Sequence, residues 1–204
     1  MSEPVVSFAV QGPLLLTPRV FGDERGFFFE SWNERQWRQL LADHGQEPVG
    51  LVQDNHSRSS RGVLRGLHYQ LPPHPQGKLV RCVLGEIFDV AVDLRRSSPT
   101  FGQWVGARLS AENHQQLWVP VGFAHGFLTL SEHAEVLYKT TDFWSQPCER
   151  SIRWDDPELA IAWPEQGLRS GEQAEAQVLQ PLLADKDAAA PTLAEALAAG
   201  DVFP

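Results

Sequence analysis

Short apolar runs, separated at close intervals by glycine and proline, are the feature of this sequence that most restricts its fold. Four of the clearest runs are KLVRCVL (78–84), EIFDVAVDL (86–94), QWVGARLS (103–110) and FAHGFLTL (123–130). In the second run Phe88, Val90 and Val92 alternate with Asp89 and Ala91, which is the period of a strand. Many short strands at a spacing of roughly 8–12 residues favour an all-β sandwich, jelly roll or barrel.

Two short helices are predicted beside these strands. In NERQWRQLLADHG, Asn33 can cap a helix whose apolar stripe includes Trp37 and Leu41, and Gly45 suits its end. A second helix is predicted at residues 192–199. After residue 164 the sequence becomes rich in Ala, Glu and Gln, so we predict one domain over 1–164 and a tail over 165–204 that packs on it.

Charge and cysteine content exclude several functional classes. The formal net charge is −9 and no block of Lys or Arg is present, so no nucleic-acid partner is expected. The N-terminus lacks the pattern of a signal peptide, and no apolar run approaches the length of a membrane span. Two cysteines, Cys82 and Cys148, make no disulfide framework. We therefore expect a cytoplasmic protein without a membrane partner.

Cationic and proton-exchanging side chains interrupt several apolar strands. Arg65 and His68 are three residues apart in LRGLHYQ, so strict alternation puts them on opposite faces. Gly66 between them is a natural position for a bulge, which would turn both toward one cavity. The alternative is an edge strand with one face in water. Lys78 and Tyr138 each have a similar ordinary explanation, as a solvated lysine and a buried tyrosine.

His125, among apolar residues, has an ordinary explanation too, as a core histidine with a hydrogen-bond partner. Taken together, the set favours a ligand site inside the barrel. No H-x-H pair, G-x-S-x-G motif or glycine-rich phosphate loop is present, so no metal and no cofactor are expected. What remains is acid–base work: a His base with a carboxylate partner, a Tyr proton donor and a Lys that stabilises an oxyanion. This set suits proton abstraction next to a carbonyl.

Longer motifs resemble one enzyme family over nearly the whole chain. They are FGDERGFFFES (21–31), VQDNHS (52–57), GVLRGLHYQLPP (62–73), GKLVRCVLGEIFDVAVDLRRSSPTFGQW (77–104), LWVPVGFAHGFL (117–128), LYKTTDFW (137–144), WDDP (154–157) and DKDAAAP (185–191). On these motifs the chain resembles the dTDP-4-dehydrorhamnose 3,5-epimerase family. The resemblance implies a cupin-type jelly roll (double-stranded β-helix), a homodimer and no metal. It also implies inversion of carbons 5 and 3 of dTDP-4-dehydro-6-deoxy-α-D-glucose, which gives dTDP-4-dehydro-β-L-rhamnose.

The same resemblance implies a role for each matching residue. His68 corresponds to the base and Asp187 to its carboxylate partner, with Asp185 as the alternative partner; Tyr138 corresponds to the proton donor, and Lys78 faces the 4-keto oxygen. The residues implied to bind sugar, diphosphate or nucleotide are Arg25, Glu30, Gln53, Asp54, Asn55, Arg65, His125, Glu149 and Lys186. Part of the N-terminal arm is implied to reach the active site of the neighbouring subunit.

One position departs from the family pattern, and three other functions stay open. The family commonly has a tyrosine that stacks on thymine where this chain has Trp144, so base preference is the property affected. Relatives that epimerise a single carbon or isomerise the keto group share much of the motif set. A sugar-nucleotide-binding cupin without catalysis is opposed by the joint presence of His68, Lys78 and Tyr138. A metal-dependent cupin oxygenase is opposed by the missing H-x-H.

Overall fold

Two antiparallel β-sheets face each other in the computed structural model, which describes residues 5–165, 169–170 and 179–204. Strands and helices are numbered in chain order. The six-stranded sheet has the order β1 (Val5–Ser7), β2 (Leu14–Leu16), β10 (Gln116–Val119), β7 (Lys78–Leu84), β12 (His133–Thr140) and β5 (Gln53–Ser60). The five-stranded sheet has the order β13 (Glu149–Ser151), β6 (Leu64–Gln70), β11 (Phe123–Thr129), β8 (Glu86–Asp93) and β9 (Trp104–Ser110).

Among the described residues, the remaining elements are two hairpins, three short α-helices and one 3₁₀ turn at Gln146–Cys148. The hairpins pair β3 (Phe21–Asp23) with β4 (Gly26–Phe28) and β14 (Arg169–Ser170) with β15 (Leu179–Gln180), and the helices are α1 (Glu34–Asp43), α2 (Asp185–Ala188) and α3 (Leu193–Ala199). The prediction of an all-β jelly roll with a few short helices is therefore confirmed. Within the described residues, no helix is long and apolar enough to cross a membrane.

The main core lies between the two sheets. Strand β8 shows how the alternation is used: Ile87 and Ala91 pack in the inter-sheet core, whereas Val90 and Val92 pack in a second core on the other face of the sheet. Both faces of this strand are covered, so five consecutive residues from Asp89 to Asp93 are buried. Because burial removes apolar area from water on both faces, β8 is a central anchor of the five-stranded sheet.

Helix α1 covers the outer face of the six-stranded sheet. Asn33 accepts hydrogen bonds from the backbone N–H groups of Arg35 and Gln36, which confirms the predicted cap. The buried face of the helix carries Trp37, which packs edge-on against Trp118 with ring centroids 4.8 Å apart. The cap and the apolar stripe together explain why this segment is helical in an otherwise β chain.

The C-terminal residues cover the outer face of the five-stranded sheet. Leu193 and Phe203 are buried there against the second core, and Thr192 and Glu195 form a reciprocal capping box at the start of α3, as a helix over 192–199 predicts. Within the predicted tail, 166–168 and 171–178 lie outside the described residues. The short helix α2 has no apolar stripe, so no local pattern predicts it.

Strand β5 is only partly predicted by local pattern, because QDNHSRSS contains no apolar residue. Its burial nevertheless alternates, with the odd-numbered residues from Gln53 to Ser59 less exposed than their neighbours. The strand lies at the edge of its sheet, paired with β12. Its less exposed residues include lining residues of the cavities described below, and a polar cavity wall does not need apolar side chains.

Candidate active site

A bulge in β6 brings two site residues into one cavity. In the pairing of β6 with β11, His68 lies opposite His125 and Arg65 lies opposite Phe127. An advance of three residues along β6 is therefore matched by only two along β11. Gly66 lies inside this irregularity with φ +133°, and a Cβ built on it would lie 2.5 Å from the Gly126 Cα. Only glycine fits such a close backbone approach. The bulge explains why Arg65 and His68, three residues apart, line the same cavity.

The cavity has a volume of about 460 Å³ and is open to solvent. Nine predicted site residues line it: Arg65, His68, Lys78, His125, Tyr138, Trp144, Glu149, Lys186 and Asp187. A smaller adjoining cavity of about 100 Å³ adds Gln53 and Asn55 to this set. The two cavities share His68, Lys78, Tyr138, Trp144 and Glu149, so they form one continuous site.

His68 and Asp187 form the tightest pair in the site. The His68 Nε2 lies 2.6 Å from the Asp187 Oδ1, and the Asp187 residue is only 2% exposed. Asp185 is exposed and lies at the start of the same helix, α2. An ionised carboxylate only accepts hydrogen bonds, so Nε2 carries the proton and Nδ1 of the neutral ring can accept another. The pair therefore has the arrangement of an oriented general base.

Lys78 is a buried cation at the start of β7. Its Nζ donates a hydrogen bond to the backbone carbonyl of His68 at 3.1 Å. Burial lowers the pKa of Lys78 to about 8, while the carboxylates of Asp89 and Glu149 oppose that shift. The ammonium therefore remains mostly charged at neutral pH, in a place where water does not screen it.

Tyr138 belongs to the six-stranded sheet, whereas His68 belongs to the five-stranded sheet. It lies on β12, paired with Asn55 of β5 and Val80 of β7. Burial raises the pKa of Tyr138, Glu149 raises it further, and Arg65 acts in the opposite direction. The phenol is therefore protonated at neutral pH and able to donate a proton.

His125 is held by a second, more deeply buried carboxylate. Its Nε2 lies 2.7 Å from the Asp89 Oδ1, and the two residues are 5% and 0% exposed. Burial lowers the pKa of His125, although Asp89 acts in the opposite direction. Asp89 was not among the predicted site residues. The available signal was its position, because an aspartate on the same face as Ile87 and Ala91 points into the core.

Charges near the cavity mouth suit an anionic ligand. The Arg65 Nε donates to the Ser59 Oγ at 3.0 Å, and within the described residues no carboxylate pairs with its guanidinium. Lys186 is paired with Glu149, with 3.2 Å between Nζ and Oε1. A guanidinium without a carboxylate partner keeps its donors available for phosphate oxygens.

Trp144 lies at the mouth of both cavities and is 57% exposed. Its backbone N–H donates to the Gln53 Oε1 at 3.1 Å, and the Gln53 amide donates to the Asn55 Oδ1 at 3.0 Å. These bonds hold the Trp144 backbone beside two amide side chains, and the indole itself is exposed. A flat aromatic face next to amide groups is suited to a nucleobase.

Three predicted binding residues lie elsewhere. Arg25 sits at the exposed tip of the β3–β4 hairpin and pairs with Asp23. Glu30 lines a separate groove, of about 1020 Å³, between the N-terminal residues and α1. Asp54 points away from the cavity and pairs with Lys139, with 2.8 Å between Oδ1 and Nζ. The β3–β4 hairpin is exposed along its length, and neither Arg25 nor Glu30 lines the cavity of this subunit.

Sequence reasoning missed further lining residues. Ser57 lines the cavity, and its Oγ is buried without a hydrogen-bond partner among the described residues. Leu182, Leu183 and Ala184 line it from the C-terminal side, and the Leu64 N–H donates to the Leu182 carbonyl at 3.0 Å. No local pattern marks these apolar residues, because only the chain's return to β6 makes them part of the site. In the described part of the chain, no group of three or more His, Cys, Asp or Glu side chains is placed to hold a metal.

Comparison with known proteins gives a consistent result. Residues 7–195 match the family model described as dTDP-4-dehydrorhamnose 3,5-epimerase. The chain is 58% identical to the dTDP-4-dehydrorhamnose 3,5-epimerase of Pseudomonas aeruginosa, over 96% of this chain and 97% of that protein. The structure is similar to the dTDP-6-deoxy-D-glucose-3,5-epimerase of Legionella pneumophila in complex with dTDP-4-keto-L-rhamnose, with TM-score 0.86, 45% identity and coverage of 99% and 98%.

A more distant structure has a narrower activity. The 3'-monoepimerase of Streptomyces bikiniensis, in complex with dTDP-quinovose, is similar with TM-score 0.83 and 33% identity, over 96% of this chain and 91% of that chain. The fold alone therefore does not distinguish inversion at one carbon from inversion at two. The higher identity to proteins named as 3,5-epimerases does favour two.

Proposed function

Because the chain belongs to the dTDP-4-dehydrorhamnose 3,5-epimerase family, we propose that it inverts carbons 5 and 3 of its dTDP-4-dehydro sugar with the residues gathered in the cavity. The enzyme is an epimerase that converts dTDP-4-dehydro-6-deoxy-α-D-glucose to dTDP-4-dehydro-β-L-rhamnose. The sugar occupies the cavity between the sheets, and the diphosphate lies near Arg65. Trp144 stacks on the thymine.

The chemistry uses the acidity of the protons next to the 4-keto group. His68 takes a proton from carbon 5 or 3, the C–H electron pair forms a carbon–carbon double bond, and the carbonyl electrons move to oxygen. Lys78 stabilises the enolate oxygen, and Asp187 stabilises the imidazolium. Tyr138 then donates its proton to the other face of the same carbon, and the carbonyl re-forms. The His68 imidazolium releases its proton and the Tyr138 phenolate takes one up, both by exchange with solvent in the open cavity, so the same pair can act on the second carbon.

The opposed placement of base and acid is the observation that carries this proposal. His68 comes from the five-stranded sheet and Tyr138 from the six-stranded sheet, and both line one cavity. A sugar ring between the two sheets therefore meets the base on one face and the acid on the other. Inversion requires removal of a proton from one face and delivery to the opposite face, which this arrangement provides.

Proton NMR of the substrate in deuterium oxide tests the reaction directly. We expect deuterium at both carbons 3 and 5, with the product trapped by a stereospecific 4-keto reductase. Deuterium at one carbon only would indicate a single-carbon epimerase. If neither carbon exchanged, a nucleotide-sugar-binding protein without catalysis would become the better description.

Replacing Tyr138 with Phe separates proton removal from inversion. In Tyr138→Phe the base is intact, so exchange at carbons 3 and 5 should continue, while formation of the inverted product should fall about 100-fold or more. Exchange is measured by NMR and inversion by the trapped product. Unchanged inversion would assign proton donation to another group.

We also propose that two subunits share their active sites. The β3–β4 hairpin exposes three phenylalanines, with Phe21, Phe27 and Phe28 exposed to 52%, 63% and 71%. A run of exposed aromatic residues on a surface hairpin is typical of an interface. A partner subunit that covered this hairpin would bury it, and Arg25 at its tip would then complete the partner's nucleotide site in trans.

Mixed dimers test this arrangement. Subunits carrying Arg25→Ala and subunits carrying His68→Asn should each be weakly active as homodimers. After subunit exchange, a hybrid dimer holds one intact site if Arg25 acts in trans, so the mixture should recover about a quarter of the wild-type activity by statistical pairing. Each variant exchanged with itself is the control. If no activity is recovered although hybrid dimers form, Arg25 does not act across the interface.

Two further assignments accompany the function. We propose that residues 1–164 and 165–204 form one unit, because the described C-terminal residues pack on the β-sheet core and supply Asp187 and Lys186 to the cavity. We also propose a cytoplasmic location, since Cys82 and Cys148 are both buried free thiols, as is usual in a reducing compartment.

A further inference from the structure

The buried carboxylate of Asp89 has no part in the reaction described above, yet it acts on two residues that line the cavity, His125 and Lys78. It is 0% exposed, on the inter-sheet face of β8. Its Oδ1 accepts from the Nε2 of His125, whereas its Oδ2 has no hydrogen-bond partner among the described residues. An unsatisfied buried carboxylate oxygen is costly, so a residue kept in this state requires an explanation.

Asp93 on the same strand shows what a purely structural aspartate looks like. It is also 0% exposed, but its two oxygens accept hydrogen bonds from Arg95, Ser98 and Thr100. It closes a turn at the end of β8. Asp89 accepts a hydrogen bond from one partner, whereas Asp93 accepts from several. The hydrogen bonding of a local turn therefore explains why Asp93 is buried but does not explain why Asp89 is.

The surroundings of Asp89 point to an electrostatic role. Lys78 lines the cavity with its ammonium buried, and the hydrogen bond it makes within the described residues goes to a neutral carbonyl, that of His68. Burial of this ammonium favours its neutral form, and the negative charge of Asp89 is the largest influence that favours its charged form. The charged and titratable groups around Lys78 are Asp89 on β8, Glu149 on β13, Lys186 on α2, His125 on β11 and His68 on β6.

We propose that Asp89 is a positioning residue that keeps Lys78 charged and holds the ring of His125 in the tautomer with a proton on Nε2. The neutral imidazole then offers Nδ1 as a fixed acceptor to a sugar hydroxyl, while the ammonium faces the developing enolate oxygen. Asp89 itself contacts neither the sugar hydroxyl nor the enolate oxygen. It acts on the substrate only through Lys78 and His125. The inference rests on the proposed function for its consequence in catalysis, but its electrostatic part can be measured without turnover.

The chain has only three lysines, Lys78, Lys139 and Lys186, which makes a direct titration possible. Lysine labelled with ¹³C at Cε gives three signals, and Lys78→Met identifies that of Lys78. In the wild type we expect the Lys78 signal to titrate near pH 8. In Asp89→Asn the amide oxygen still accepts from His125, but the charge is gone, so Lys78 should titrate at a pH lower by about 1 or more. The Lys139 signal should not move.

Activity gives the second readout. The alkaline decline of kcat should move to lower pH in Asp89→Asn by the same amount as the Lys78 titration. If Lys78 titrates near pH 7 instead of pH 8, kcat at pH 8 should fall about fivefold, because the protonated fraction falls from about a half to about a tenth. Asp89→Glu, which keeps the charge, should restore the titration of Lys78 toward its wild-type pH. Asp93→Asn is the matched control: it removes a buried carboxylate from the same strand and should lower stability without moving either pH profile.

If the Lys78 signal titrates at the same pH in the wild type and in Asp89→Asn, the inference is wrong. If Asp89→Asn does not fold, the wild type alone still tests it, because a Lys78 that is neutral at pH 7 would show that no carboxylate offsets its burial. The wild-type protein could lack epimerase activity while the Lys78 titration still moves to lower pH in Asp89→Asn. That result would uphold the role of Asp89 and reject the proposed function.

Discussion

Replacing His68 with Asn should lower the rate of deuterium exchange at carbons 3 and 5 by about 10² to 10⁴-fold, because the proposed mechanism uses this one base at both positions. Asparagine keeps a hydrogen-bonding group near Asp187 but cannot take up a proton. Exchange at each carbon is followed by NMR in deuterium oxide. KM should change far less than kcat, since the residue acts on the reacting proton and not on the nucleotide.

The control for this variant is His44→Asn. His44 is exposed at the end of α1, where its Nδ1 lies 2.8 Å from the Leu40 carbonyl, on the outer face of the molecule. This substitution should leave both exchange rates unchanged. If His68→Asn lost exchange at one carbon and kept it at the other, two different bases would be required, and the single-base mechanism would be wrong.

Replacing Lys78 with Met should lower kcat by about 10² to 10³-fold, because the enolate oxygen loses its charged donor. The folded protein should not lose stability. A charged lysine buried without a close carboxylate partner opposes folding, and an apolar side chain of similar length fills the same space. We therefore expect a melting temperature equal to or above that of the wild type at pH 7, together with the loss of activity.

The pH profile provides the second half of this prediction. Lys78 stabilises the enolate only when protonated, and its pKa is about 8 in the folded protein, so wild-type kcat should decline as the pH rises through 8. In Lys78→Arg the guanidinium stays charged, so the residual activity should show no such decline. A wild-type profile that stays flat well above pH 8 would contradict a charged Lys78 at the enolate.

Local patterns in the sequence were sufficient for the secondary structure at several places. The Asn33 cap and the apolar stripe of α1, and the capping box of Thr192 and Glu195, involve groups that are near neighbours along the chain. The alternation in β8 likewise follows from the period of two in a strand. By contrast, the polar strand β5 has no apolar periodicity, because most of its less exposed residues line a polar cavity and do not pack in an apolar core.

The sequence predicts a bulge at Gly66, but its exact consequence depends on the neighbouring strand. Glycine alone permits many conformations. The close approach of the Gly126 backbone leaves no space for a side chain at Gly66. The shifted pairing of β6 with β11 brings Arg65 and His68 to the lining of the same cavity. Neither constraint can be read from residues 64–70 by themselves.

What the sequence determined by itself is the all-β class, the starts of α1 and α3 and the kinds of side chain that the proposed site uses, because these depend on near neighbours and on residue chemistry. Only the tertiary structure decided which groups meet. Asp187 lies 119 residues from His68 along the chain, and it contacts the histidine only because the C-terminal segment packs back on β6. Such a contact depends on the packing of the whole domain, which no local pattern encodes.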